Sequence, residues 1–178
     1  MLHQHPLDAL ALQVANTFDY YTGNAPRMLA RVESVLPAWQ NDMPGCHAVL
    51  ATHAFALEEH GEYEHAEQAA REALALNPLD IRAHHVMLHV FEMTDRPDAG
   101  VRWMNAQIAA PGAGSLFTTH CWWHLALFHL ALGQTDLGLA MRLPCLMSPE
   151  WNDATQIVRT RVTRSLLTRR PAKVRQVE

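Results

Sequence analysis

Residues 47–80, HAVLATHAFALEEHGEYEHAEQAAREALALNPLD, decide the fold. Small and apolar residues recur at spacings of three and four, which is the period of a helix face and not of a strand. Gly61 interrupts the pattern as a helix C-cap does, and Pro78 stops the second run. Between them Ala66, Ala70 and Ala73 offer a face small enough for close packing on a neighbouring helix. The stretch therefore reads as helix, tight turn, helix.

The same grammar covers most of the chain on either side. Breakers stand at Gly23 with Asn24 and Pro26, from Pro37 to Gly45, at Gly61, at Asn77-Pro78, at Arg96-Pro97, from Pro111 to Gly114, and at Gly133. They delimit helices at about 6–22, 26–36, 46–60, 63–76, 80–93, 97–108, 117–132 and 135–142. Runs of β-branched residues with period-two alternation are lacking, so the expected class is all-α. The breakers are also periodic: Asp95 follows Gly61 at the spacing of one helix-turn-helix repeat, about 34 residues. Gly23 before Gly61, and Gly133 after Asp95, stand slightly further off and equally so. A near-constant period of helix pairs is the mark of a superhelical array. About four units result, near 5–42, 47–80, 81–114 and 116–150, the last incomplete.

The 178 residues are 49% apolar, enough for a core and too apolar for intrinsic disorder. Cys46, Cys121 and Cys145 are three widely spaced cysteines, which excludes a disulfide framework or a cysteine zinc finger. The start, MLHQHPLDALALQV, has no basic segment before its apolar residues. The apolar run from Cys121 to Gly133 contains His124 and His129 and falls well short of the roughly 18 residues that a membrane span needs. Neither reads as a secretory leader or a membrane span, so a cytoplasmic protein without a membrane partner is expected. Charge divides the chain. Residues 1–140 hold 6 Arg against 15 Asp and Glu, whereas 141–178 hold 8 Lys and Arg against 3 acidic residues. The expected organisation is thus helix pairs over 1–140 and a divergent basic tail over 141–178. For that tail a non-native end, a solvated basic helix and a phosphate contact all stand open. Without interleaved aromatics it carries no specific nucleic-acid function.

In residues 47–80 the positions of Gly61, Tyr63, Ala66, Ala70, Ala73 and Pro78 resemble the tetratricopeptide repeat, a helix-turn-helix of about 34 residues. Longer words sharpen the likeness: HPLDALALQ at 5–13, LPAW at 36–39, PGCHAVLATHAFALEEHGEYEHAE at 44–67, HHVMLHVFEM at 84–93 and HCWWHLALFHLALG at 120–133. Together they resemble the bacterial branch of the tetratricopeptide repeat protein 38 family over about residues 2–140. The resemblance implies a tetratricopeptide-repeat-like solenoid of divergent repeats and a protein–protein interaction role, without a defined reaction. It also implies a longer natural chain, of which this one is a fragment. Separately, Trp122, Trp123, Leu125, Leu127, Phe128 and Leu130 make the run from Cys121 to Gly133 apolar nearly all round, and with no polar capping helix the end near 117–142 is expected to be exposed, sticky and prone to self-association, or else covered by another chain.

All 12 histidines lie between His3 and His129. In tetratricopeptide units the second, fifth, ninth and twelfth positions of the first helix face the concave groove; counted from Ile81, these are Arg82, His85, His89 and Glu92. His85 and His89 share one helix face, with Glu92 one turn on, and His120 and His124 repeat the HxxxH spacing on the next first helix. Three readings stand side by side. A groove bearing these six residues, with Arg82 as a carboxylate clamp, would bind a protein or peptide partner. The same histidines and Glu92 have ligand spacing for a borderline metal and the inventory for acid–base work, hence a metal-dependent enzyme or small-molecule binder. Alternatively they hold repeats together through contacts with Trp103, Trp122, Trp123 and Phe128. The partner groove is the primary expectation, with no catalytic residue and no cofactor assigned. The geometric discriminant is convergence: a metal needs the ring nitrogens within about 3–4 Å of one another, with partners that orient them, whereas a peptide groove spreads them along its length.

Lesser candidates resolve more simply. Glu58 and Glu59 would add acidity to the groove, although such a pair is ordinarily solvated. Tyr20 and Tyr21 pack on the next helix or touch a peptide, and Cys121 is a small core residue before it is a nucleophile. HExxH, GxSxG and a phosphate-binding glycine loop are all lacking, Gly112-Ala-Gly114 included.

Overall fold

The computed structural model describes residues 2–107 and 116–138, all of them within the first of two units, Met1–Arg142 and Leu143–Glu178. Its elements are α1 (Ala9–Tyr21), α2 (Ala25–Glu33), a single 3-10 turn (Leu36–Ala38), α3 (Cys46–His60), α4 (Tyr63–Leu76), α5 (Ile81–Met93), α6 (Pro97–Gln107) and α7 (Leu116–Ala131). Residues 135–138 are helical as well. The chain is all-α across the described residues, and the expected boundaries hold to within a residue or two from α3 onward. The first helix starts later than expected because the Asp8 carboxylate accepts from the Ala11 N–H and caps it. The second stops at Glu33, and Pro37 then sits inside the separate 3-10 turn, which the sequence pattern merges with the helix. The turn from Pro111 to Gly114, the basic tail and residues 139–142 of the expected last helix lie outside the described residues. Most of the end expected to self-associate is described, and Leu130 and Leu137 are exposed there.

The period becomes visible in one repeated turn. Gly23, Gly61, Asp95 and Gly133 all have positive φ, at 71°, 94°, 56° and 74°. At each, the residue's own N–H bonds back three residues and the next N–H bonds back five: Gly61 to Glu58 and Glu62 to Leu57, Asp95 to Glu92 and Arg96 to Phe91, with the same pairs at Gly23 and Gly133. This is the Schellman closure, in which a left-handed residue lets the last carbonyls of a helix find donors. Asp95 does with a side chain what glycine does at the other three places.

Each helix packs on the next through such a turn or a short link, and α3 also packs on α1 and α5, as does α5 on α7. Alanine permits the close approaches: Ala66, Ala70 and Ala73 of α4 are fully buried against α3 and α5. Gly100 of α6 serves α7 in the same way, since a Cβ there would lie 2.3 Å from the Phe128 ring. Polar ties fix the order of helices. Asp19, almost completely buried, receives Arg31 Nε at 2.6 Å and Nη2 at 3.2 Å, joining α1 to α2. His47 Nδ1 lies 2.6 Å from Asp80 Oδ2, and Asp80 caps α5 through the Arg82 and Ala83 N–H groups, so the starts of α3 and α5 are held together. Helices α3, α5 and α7 therefore run as successive neighbours, and that adjacency builds the site.

Candidate metal centre

The two HxxxH pairs belong to neighbouring helices, α5 and α7. Four residues on a helix bring two side chains back to the same face, and here the faces meet. His85 and His89 approach through their Nε2 atoms at 2.9 Å, and His120 and His124 through theirs at 3.2 Å. Across the helices, ring centroids of His85 and His120 are 4.8 Å apart and those of His89 and His124 are 4.6 Å apart. One ligand nitrogen from each of the four lies within 4.8 Å of all the others. Ligands about 2.0–2.1 Å from a zinc ion stand roughly 3.3 Å apart at tetrahedral angles and roughly 2.9 Å apart at right angles. These two nitrogen pairs, each within one helix, have the spacing of edges in a coordination sphere, while the set of four is looser, at up to 4.8 Å.

Two carboxylates approach the cluster from behind. Glu92 Oε2 is 3.0 Å from His124 Nδ1, and Glu58 Oε2 of α3 is 3.4 Å from His89 Nδ1. One histidine on each helix thus has its Nδ1 edge on a carboxylate and its Nε2 edge on the cluster. A carboxylate accepts, so at His124, where the contact is a hydrogen bond, Nδ1 carries the proton and Nε2 presents its lone pair inward; at His89 the contact is an ion-pair distance without a hydrogen bond. Glu59, half-buried, has a carboxylate oxygen within 4.8 Å of Glu58 and His89 ligand atoms.

Burial sets the electrostatics. His85 and His124 are buried, while His89 and His120 retain partial exposure. Burial pushes His120 down to about 2, with the neighbouring His124 and His89 adding to the effect. It holds His85 well below the ordinary imidazole value, again assisted by the other three rings. His124 is lowered by burial in spite of the bond to Glu92. At His89 burial opposes charge too, yet Glu58, followed by Glu92 and Glu59, carries it above the ordinary value. Three rings are thereby kept as neutral bases at neutral pH, which is the form that ligates a metal.

Aromatic rings close one side. Phe55 of α3 stands 6.0 Å from His85 and 6.2 Å from His89, and Tyr20 of α1 packs on Phe55 at 5.3 Å. On the other side Phe128 lies 6.4 Å from His124. Cys121, beside His120, is fully buried with its thiol pushed up to about 12 by burial, so it is a core residue and offers no thiolate.

Five of the six residues expected to line a groove are gathered here: His85, His89, Glu92, His120 and His124. Arg82 is not among them. Its Nη1 donates to Gln13 Oε1 of α1 at 2.8 Å and its Nε stays 3.9 Å from Asp80, so it ties α5 to α1 and clamps no carboxylate of the cluster. Of the two readings of Glu58, acidity added to the cluster or a solvated pair, the structure shows the first: it is 6% exposed and faces His89. The sequence holds a signal for it, because Glu58 stands one repeat period before Glu92. Other histidines do hold helices together. His84, adjacent to His85 but about a quarter turn round the helix, accepts from Trp103 Nε1 at 3.1 Å and donates from Nε2 to the Pro78 carbonyl at 2.9 Å. Tyr20 packs on the following unit through Phe55, whereas Tyr21 is largely exposed.

No protein-family model matches this chain. No described helix is long and apolar enough to cross a membrane.

Proposed function

We propose that this protein is a metal-dependent small-molecule binder or enzyme, built on a tetratricopeptide-like array of helix pairs, with a first-row transition ion held by His85, His89, His120 and His124. The single observation that carries the reading is the convergence of four ring nitrogens from two neighbouring helices. An all-imidazole set suits zinc, copper, nickel, cobalt or iron and suits magnesium or calcium poorly, since those ions demand oxygen ligands. Bound there, the ion would supply a Lewis acid. The residues of this chain do the rest. Glu58 and Glu92 orient two rings, burial keeps three rings neutral, and Phe55 and Phe128 restrict water on two sides. Four protein ligands fill a tetrahedral sphere, so a small ligand would have to join as a fifth or displace one, and His89 and His120 are the two that retain partial exposure.

The peptide groove comes second. Two of its proposed contact residues, His85 and His124, are buried and have little face to offer an extended segment. Calorimetric titration of zinc into the full chain, beside a His85→Ala/His124→Ala variant, separates the two. Binding near one ion per chain with micromolar or tighter affinity, weakened at least about 100-fold in the variant, supports the metal reading. Absence of heat, or an affinity that the substitutions leave unchanged, overturns it.

A further inference from the structure

The carboxylate contacts repeat with the fold. Glu58 on α3 reaches His89 on α5, and Glu92 on α5 reaches His124 on α7. The two glutamates stand one repeat period apart, and the two histidines one position more. Each first helix thus presents, at one register, a carboxylate to the ring of the next first helix. The register also explains where the site begins. One period before His85 and His89 stand Ala51 and Phe55, so the second unit supplies the carboxylate Glu58 without ligands of its own, and the third unit supplies both.

Building on the four-histidine reading, we propose that Glu58 and Glu92 are positioning residues that select a divalent ion. Two physical effects combine. A carboxylate on Nδ1–H fixes the ring's tautomer and rotation and makes the opposite nitrogen a stronger donor. The charges also favour a dication: Glu58, Glu92 and the nearby Glu59 set three carboxylates around the four imidazoles, so a divalent ion offsets more of the negative charge of this largely buried cluster than a monovalent one. A monovalent ion leaves more uncompensated negative charge than a divalent one, which is costly in a desolvated site. Glu58 has most to gain from this closure. Its Oε2 is buried with no hydrogen bond of good geometry, and His89 Nδ1 stands at 3.4 Å. A cation on the far nitrogen of His89 acidifies that Nδ1–H and strengthens its pull on the waiting oxygen.

The test compares Zn(II) and Cu(I), which both accept imidazole but differ by one charge. Affinities are measured by chelator competition for the unmodified chain, Glu92→Gln, Glu58→Gln and the double variant, with helix content and melting temperature recorded for each. Glu92 is only half-buried, so Glu92→Gln keeps the comparison alive where the Glu58 variants fold poorly. The expected result is a loss of about 10–100-fold in Zn(II) affinity per substitution, a clearly smaller loss for Cu(I), and partial recovery in Glu92→Asp. Equal losses for both ions, or Zn(II) affinity unchanged in folded Glu92→Gln, overturns the inference and leaves the four-histidine site standing. Failure of the unmodified chain to bind either ion removes the site itself, and this inference with it.

Discussion

Glu92 Oε2 lies 3.0 Å from Nδ1 of His124, a residue 32 positions later on a different helix. With the proton held on that edge, the His124 Nε2 lone pair faces His120 Nε2 at 3.2 Å. In metal-free protein at neutral pH, His124 is therefore expected as the Nδ1–H tautomer, with His120 donating to it. Nitrogen-15 chemical shifts of the two rings read this directly. An Nε2–H tautomer at His124 would show that the carboxylate does not set the ring.

Asp95 is the one non-glycine residue among the described residues with positive φ, at 56°, and it stands where Gly61 stands one repeat earlier. A side chain in the left-handed region costs energy that glycine avoids. Asp95→Gly is expected to stabilise the fold by up to about 1 kcal/mol, the strain relieved being partly offset by the freer unfolded chain. Thermal or urea unfolding measures it, and destabilisation would mean that the Asp95 side chain contributes more than the turn demands.

Gly100 gives the opposite result. A Cβ at this position meets three ring atoms of Phe128 at 2.3–2.5 Å, and Phe128 is fully buried and has no room to withdraw. Gly100→Ala should cost about 1–3 kcal/mol in urea unfolding through overpacking, despite alanine's better helix propensity. Because Phe128 also flanks His124, metal affinity is expected to fall in the same variant.

Glu67 of α4 accepts from Arg96 Nη2 at 2.5 Å and from Arg71 Nη2 at 2.7 Å. Burial would raise its carboxyl, but the two guanidinium groups outweigh burial and hold it below the usual value. A carboxylate lowered in the folded state adds stability above its unfolded pKa and loses it as the pH falls through the folded value. The arginines are half exposed, so the contribution is less than about 1 kcal/mol. Glu67→Gln should lower stability slightly at neutral pH and flatten this part of the acid limb. Identical acid limbs in the two proteins would refute the assignment.

Much of the fold is legible because its punctuation is local. Gly23, Gly61, Gly133 and Pro97 mark turns by their own backbone preferences, and even Asp95 is placed by counting one period from Gly61. The convergence of His85, His89, His120 and His124 is half legible. HxxxH fixes a helix face, but which faces meet depends on the stacking of first helices, which no single segment encodes. Glu58 is half legible for the same reason. Beside Glu59 it looks like a solvated pair, and only α5 lying over α3 buries it. Arg82 fails differently, since its place in a consensus groove says nothing of Gln13, which lies 69 residues earlier and captures it.

The most direct test of the metal centre is a crystal of the zinc-soaked chain with diffraction recorded on both sides of the zinc absorption edge. The account predicts one strong anomalous peak between α5 and α7, about 2.0–2.1 Å from Nε2 of His85, His89, His120 and His124. No peak among these four nitrogens, with zinc found only on exposed residues such as His65 and Glu62, would contradict it.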